Sequence, residues 1–282
     1  MAKKKIKDFL EMKKEKKKIT MLSVADASTA RIAERANIDI LALGDSLGMV
    51  LMGYESTIKV TVEDMILFGK AVRRGAPDSY FFVAMPYGSY RDEKIAADNA
   101  IRFIQETGAD AVKVQGGRRC EKQIKAITRA GVPCWAHVGL EPHLIPMMGG
   151  FKVQGRTAEE AKIIYEDAMI AQQAGAVGIE VEAIPPEIAQ KITQDVEIIT
   201  YGIGAGPHCD GQILVGWDML GFFDLFKPKF VKRYAKLAQV AQEALEVYQK
   251  EVRDGTFPSE KHIYPISDQE LEKFNMLLAK ES

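Results

Sequence analysis

Four polar side chains stand in otherwise apolar runs of this sequence: Asp45 in LALGDS, Lys113 in AVKVQ, His137 in CWAHVG and Glu182 in GIEVEA. A polar group on a buried strand costs free energy unless it is paired. Four of them, near the ends of four different runs, point to a polar ligand pocket rather than to packing. Lys113 is a fixed cation suited to a carboxylate or an enolate oxygen; the plainer reading is an ion pair with Asp45 or Glu182. Glu182 sits among apolar neighbours, so its pKa should rise, as a general base or acid near neutrality requires; otherwise it partners a nearby Lys or Arg. His137 can donate to a ligand oxygen, or be a core imidazole tied to backbone. The other polar run ends are Asp26, Ser46, Gln115 and Glu180, with His208 and Asp210 following the glycine run GIGAG at 202–206. Such glycine runs hold anions after late barrel strands, but glycine also simply ends strands.

Something must bring these ends together. Short apolar runs recur at 19–26, 38–45, 80–86, 111–116, 133–140, 178–184, 197–204 and 212–220. Between them lie segments with helical spacing at 63–74, 92–107, 120–130, 158–174 and 186–193, several ending at glycine as helices do. Near-continuous apolar strands alternating with helices imply a parallel α/β fold. Eight such runs favour a closed (β/α)₈ TIM barrel, with active-site residues at the strand C-termini. The alternative is a Rossmann-like sheet, but no GxGxxG follows the first strand. Thr61 reads as a helix N-cap, and Glu63 and Asp64 as structural acids of the first turn. Ile6, Phe9, Leu10 and Met12 predict a short amphipathic N-terminal helix with solvated lysines. A charged helical tail is expected from about 229, including a helix over 230–247 and a last one over 268–280. The whole reads as one domain, 1–282, with the barrel at about 18–228.

Composition narrows the partners. With 38 Lys plus Arg against 39 Asp plus Glu, the net charge is -1, giving no electrostatic reason to expect nucleic acid or an anionic membrane. The basic N-terminus lacks the apolar core of a signal peptide, and no run approaches the ~18 apolar residues of a membrane span. Cys120, Cys134 and Cys209 fit neither a zinc motif nor a disulfide framework, so a cytoplasmic protein with reduced thiols is expected.

The segments LGDSLGMVLMGYESTIKVTVEDM, KAVRRGAP, MPYGSY, HVGLEP, GGFKVQGR and GIGAGPHCDGQILV resemble the ketopantoate (3-methyl-2-oxobutanoate) hydroxymethyltransferase family from about Lys18 to Phe226. The resemblance implies a barrel of the phosphoenolpyruvate mutase/isocitrate lyase type and a homo-oligomer, decameric in the family. It implies transfer of a one-carbon unit from 5,10-methylenetetrahydrofolate to C3 of 3-methyl-2-oxobutanoate, a step of pantothenate synthesis. By the same resemblance Glu182 is the catalytic carboxylate, and Ser46, Lys113 and His137 contact the substrate. Asp45 serves both as a substrate-site residue and as a ligand of Mg²⁺, which chelates the 2-oxo acid and stabilises its enolate. This chain departs from the family at two metal positions: Ala84 replaces an Asp and has no donor, and Gln115 replaces a Glu, leaving a neutral carbonyl oxygen as a weak ligand. Ala25 and Phe68 stand where the family has Tyr and His. Two other functions are compatible with these departures. One is a paralogue acting as a carbon–carbon lyase, aldolase or mutase on another 2-oxo acid. The other is a catalytically impaired relative that binds a small acid.

Overall fold

The computed structural model describes residues 3–280. Eight parallel strands close into a barrel in chain order: β1 Ile19–Ser23, β2 Ile40–Leu43, β3 Tyr80–Ala84, β4 Ala111–Lys113, β5 Cys134–Gly139, β6 Gly178–Glu182, β7 Ile199–Ile203 and β8 Gly211–Val215. Pairing of β1 with β8, from Ile19↔Gly211 to Ser23↔Val215, completes the ring. Successive strand side chains face opposite sides. On β3, Phe81 and Val83 pack outward with helix residues such as Met65 and Phe103, while Tyr80 and Phe82 point into the barrel. The interior is filled by Phe82, Trp135 and Tyr201, with ring centroids 5.4–6.2 Å apart. The same alternation turns Lys113, His137, Glu180 and Glu182 inward, one or two steps above that aromatic layer.

The helix Ile6–Lys14 forms as its apolar spacing predicts and covers the N-terminal end of the barrel. Phe9 is fully buried edge-on to Tyr80, and Lys13 Nζ donates to Ile198 O, Thr193 O and Asp210. Thr61 caps the helix Val62–Gly75 in a capping box with Asp64.

Several expectations are corrected. The run 212–220 splits: the strand ends at Val215, and Gly216–Leu220 is a short helix. Asp26 does not face the barrel mouth, because its carboxylate caps the helix Ala27–Arg35. The β7–β8 connection, 204–210, contains no helix and doubles back to the N-terminal end. There Asp210 accepts from Thr200 and Lys13, so it is a clasp far from the mouth. The tail helix begins at Leu237, not Phe230. The preceding stretch is held irregular by the barrel: Val231 is buried and Arg233 donates to Phe223 O.

The chain divides into two compact units, one running to Ala235 and the other starting at Lys236. The second contains the helices Leu237–Asp254 and Asp268–Lys280 and packs Phe257 between Tyr248 and His262.

Gly178 opens β6 directly against the Trp135 ring, and a Cβ there would overlap that ring. Trp135 is fully buried and has no room to retreat. Overpacking of a rigid core costs about 1–3 kcal/mol, occasionally more. The variant Gly178→Ala is therefore expected to melt several degrees below wild type by scanning calorimetry.

Candidate active site

The strand C-termini surround one cavity of about 650 Å³. Its inner end is polar. From β4, Lys113 reaches across to Glu180 on β6 as a buried ion pair, and Tyr201 of β7 donates its hydroxyl to the same carboxylate at 3.0 Å. Burial alone would strip both charges. For Glu180 the Lys113 ammonium, with His137, outweighs burial and the pKa is lowered. For Lys113 the Glu180 charge does the reverse and the pKa is raised.

His137, from β5, is 1 % exposed. Its Nε2 lies 3.1 Å from Glu182 and its Nδ1 3.8 Å from Glu180, yet neither nitrogen makes a well-aligned hydrogen bond. Burial opposes its protonation, but Glu180 and Glu182 outweigh that and raise the pKa. Glu182 has a raised pKa too, because burial and the neighbouring Glu180 charge exceed the help from His137. The imidazole and the two glutamates thus meet at the inner end of the cavity, with the Glu180 carboxyl pulled below its ordinary range and the Glu182 carboxyl pushed above it.

On the opposite wall, β2 delivers Asp45 and Ser46. Asp45 Oδ2 accepts from His143 Nε2 at 2.5 Å, and His143 Nδ1 meets the Tyr90 hydroxyl at 2.7 Å. Gln115 holds this arrangement twice: its backbone N–H donates to the Tyr90 hydroxyl at 3.3 Å, and its side-chain Oε1 accepts the His143 backbone N–H at 3.0 Å. Burial would raise the Asp45 pKa, but the His143 contact and the Lys113 charge lower it on balance.

The structure thus brings Asp45, Ser46, Lys113, Gln115, His137 and Glu182 to one cavity, as the run ends imply. Other expectations find different places. Lys113 pairs with Glu180, neither with Asp45 nor with Glu182. His208 is exposed, and the GIGAG glycines serve close packing: Gly204 lies under Phe230 and Gly206 under Pro186. Sequence reasoning assigned no role to Glu180, Tyr90, His143 or Tyr201. The period of two places Glu180 and Tyr201 inward and could have found them. His143 lies in a loop after β5, where no periodic signal exists.

The Mg²⁺ site implied by the family resemblance is not matched by these donors. Mg²⁺ demands near-octahedral oxygen ligands, commonly one or two carboxylates plus waters and substrate. Ala84 is buried and donorless, Gln115 Oε1 is engaged by His143, and one oxygen of Asp45 is held by the imidazole. Among the described residues, the cation-spaced group is instead His137, Glu180 and Glu182, with ligand atoms within 4.8 Å of one another. There the Lys113 ammonium already occupies Glu180.

Fold and site together define a (β/α)₈-barrel protein with a polar small-molecule cavity at the C-terminal mouth of the barrel. Solved structures agree on the fold: phosphonopyruvate hydrolase (TM-score 0.61, 13% identity, covering 100% of this chain and 98% of that one) and 2,3-dimethylmalate lyase (TM-score 0.57, 14% identity, 97% and 98%). The chain belongs to the ketopantoate hydroxymethyltransferase family, whose model matches residues 3–260. It is 48% identical to 3-methyl-2-oxobutanoate hydroxymethyltransferase 1 of Methylibium petroleiphilum (98% of this chain, 94% of the relative). It is 46% identical to the 3-methyl-2-oxobutanoate hydroxymethyltransferase of Alkaliphilus metalliredigens (97% and 98%) and 44% identical to that of Thermus thermophilus (92% and 98%).

Carboxylates govern a divalent-ion site steeply: an opposite unit charge at 4 Å is worth about 4 kcal/mol at an effective dielectric near 20. Calorimetric titration of Mg²⁺ is expected to show binding to the Ala84→Asp, Gln115→Glu double variant that exceeds wild type by orders of magnitude. Equal affinities would mean that positions 84 and 115 are not ligand positions.

Proposed function

We propose that this chain transfers a one-carbon unit from 5,10-methylenetetrahydrofolate to C3 of 3-methyl-2-oxobutanoate, giving ketopantoate for pantothenate synthesis. The observation that carries the reading is the inner end of the cavity, where a fixed ammonium, a buried imidazole and a carboxylate of raised pKa converge. The 2-oxo acid places its carboxylate and keto oxygens toward Lys113, His137 and Ser46. Glu182 removes the C3 proton. The negative charge that moves onto the keto oxygen meets the Lys113 ammonium and the unpaired N–H of His137, donors already in place before reaction. Water adds to the methylene carbon of the donor and both of its C–N bonds break, which releases tetrahydrofolate with its two N–H groups and leaves the one-carbon unit as formaldehyde. The enolate carbon adds to that carbon, the C=O electrons move onto its oxygen, and this alkoxide takes back the proton held by Glu182 to become the hydroxyl. Asp45, fixed by His143, borders the acid and sets its orientation.

The reading extends to setting and assembly. Three buried, unpaired cysteines suit a reducing compartment such as the cytoplasm. No described helix is long and apolar enough to cross a membrane. A homo-oligomer, decameric as in the family, is supported by the apolar side chains that the tail unit exposes, among them Leu245, Tyr248, Phe274 and Leu277. Leu245 and Tyr248, like Phe274 and Leu277, stand one helical turn apart, and exposed apolar patches mark association surfaces. Light scattering at micromolar concentration is expected to give a mass several times that of one chain; a monomer would refute the assembly.

A positioned base contributes roughly 10²–10⁴ in rate. Glu182→Gln is expected to keep fold and acid binding but to lose C3 proton exchange by about that factor, followed by NMR in D₂O. In wild type the exchange rate should climb with pH above 4.5, the ordinary glutamate value, because Glu182 must be ionised to accept the proton. Exchange unchanged in the variant would assign Glu182 a structural role.

A further inference from the structure

The cavity is far larger than a five-carbon acid needs, and its two ends differ in chemistry. Beyond Asp45 and Lys113 the walls turn aromatic: Phe223, Phe226 and Phe230, from the stretch after β8, with Phe151 from the loop after β5. Phe223 and Phe226 stand edge to face at 5.0 Å. A carboxylate lies among them. Asp218, on the helix Gly216–Leu220, is 9 % exposed and lines the cavity, and its carboxylate has no hydrogen-bond or ion-pair partner among the described residues. Burial pushes its carboxyl up to about 6, although the Arg233 charge pulls the other way.

A buried carboxylate offers two acceptor oxygens side by side, and leaving them unmet is costly. Nothing in the acid-binding end uses them. Aromatic walls around such a group fit a flat ring with apolar faces and two adjacent N–H donors on one edge. Resting on the function proposed above, we propose that this outer end is the subsite for the pterin ring of the one-carbon donor, with Asp218 accepting from the ring's 2-amino group and neighbouring N3–H. The ring then lies between solvent and the 2-oxo acid, on the face of the acid opposite the aromatic floor. At the rim, where the anionic tail of a folate leaves the cavity, Lys152 and Lys229 are exposed and have no ion-pair partner among the described residues.

The test is calorimetric titration of 5-formyltetrahydrofolate, which cannot react, into the full chain with saturating 3-methyl-2-oxobutanoate present. Wild type should bind it, and Asp218→Asn should bind it at least tenfold more weakly. The analogue in which a methyl group replaces the 2-amino group should lose a similar factor on wild type and almost nothing further on the variant. That second arm decides the matter even should the variant fold poorly, because it needs only wild-type protein. Equal affinity of wild type and variant for the folate, or of wild type for the two ligands, overturns the assignment. So does failure of wild type to bind the folate while it still exchanges the C3 proton. Loss of C3 exchange in wild type would instead strike the underlying 2-oxo-acid reading, so the two failures are separable.

Discussion

The buried pair between Lys113 and Glu180 holds the mouth of this barrel together. It spans β4 and β6, with β5 and its His137 between them, and takes a third bond from Tyr201 on β7. Removing one partner from such a pair costs about 3–5 kcal/mol, because the other charge is stranded away from water. The pair also sets the potential for its neighbours. The pKa of Asp45 is held down partly by Lys113, that of His137 is raised by Glu180, and that of Glu182 is raised partly by Glu180. Each of these shifts thus combines the effect of burial with a contribution from the Lys113–Glu180 pair.

Negative charge is unevenly distributed around the mouth. The β3 and β4 ends carry Ala84 and Gln115, while β6 presents two carboxylates in succession on one face. On the β2 side the remaining acid, Asp45, is engaged by an imidazole that is itself fixed by Tyr90 and Gln115. Asp45 is thereby satisfied through a continuous hydrogen-bonded chain; a buried carboxylate left without such partners would cost about 1–3 kcal/mol or more.

Much of this was readable from the residues alone. The eight strands and the outer helices follow from local period and glycine stops, and the cavity's principal polar residues from isolated polar types in apolar runs. What was not readable depends on contacts distant in sequence. His143 reaches Asp45 across 98 positions, and Lys113 reaches Glu180 across 67. Neither partner choice is encoded by spacing, only by the order in which the barrel closes. Asp210 misled because a strand-end reading assumes a helix between β7 and β8; without one the chain returns early and carries the residue to the other face. Phe230 looked helical by pattern but is held in the mouth by tertiary packing.

The N-terminal helix leaves the barrel with a single opening. Phe9, Tyr80, Trp135 and Tyr201 plug the interior below the site, and Lys13 fastens the helix across that end. Traffic through a blind-ended chamber has an order. Whatever occupies the inner end must enter before the outer end is filled, and it must wait for the outer end to clear before it departs. Such a chamber imposes an order of filling, with the small acid first in and its enlarged product last out. An occupant that reaches the outer end too early stands as a stopper in the acid's only way in.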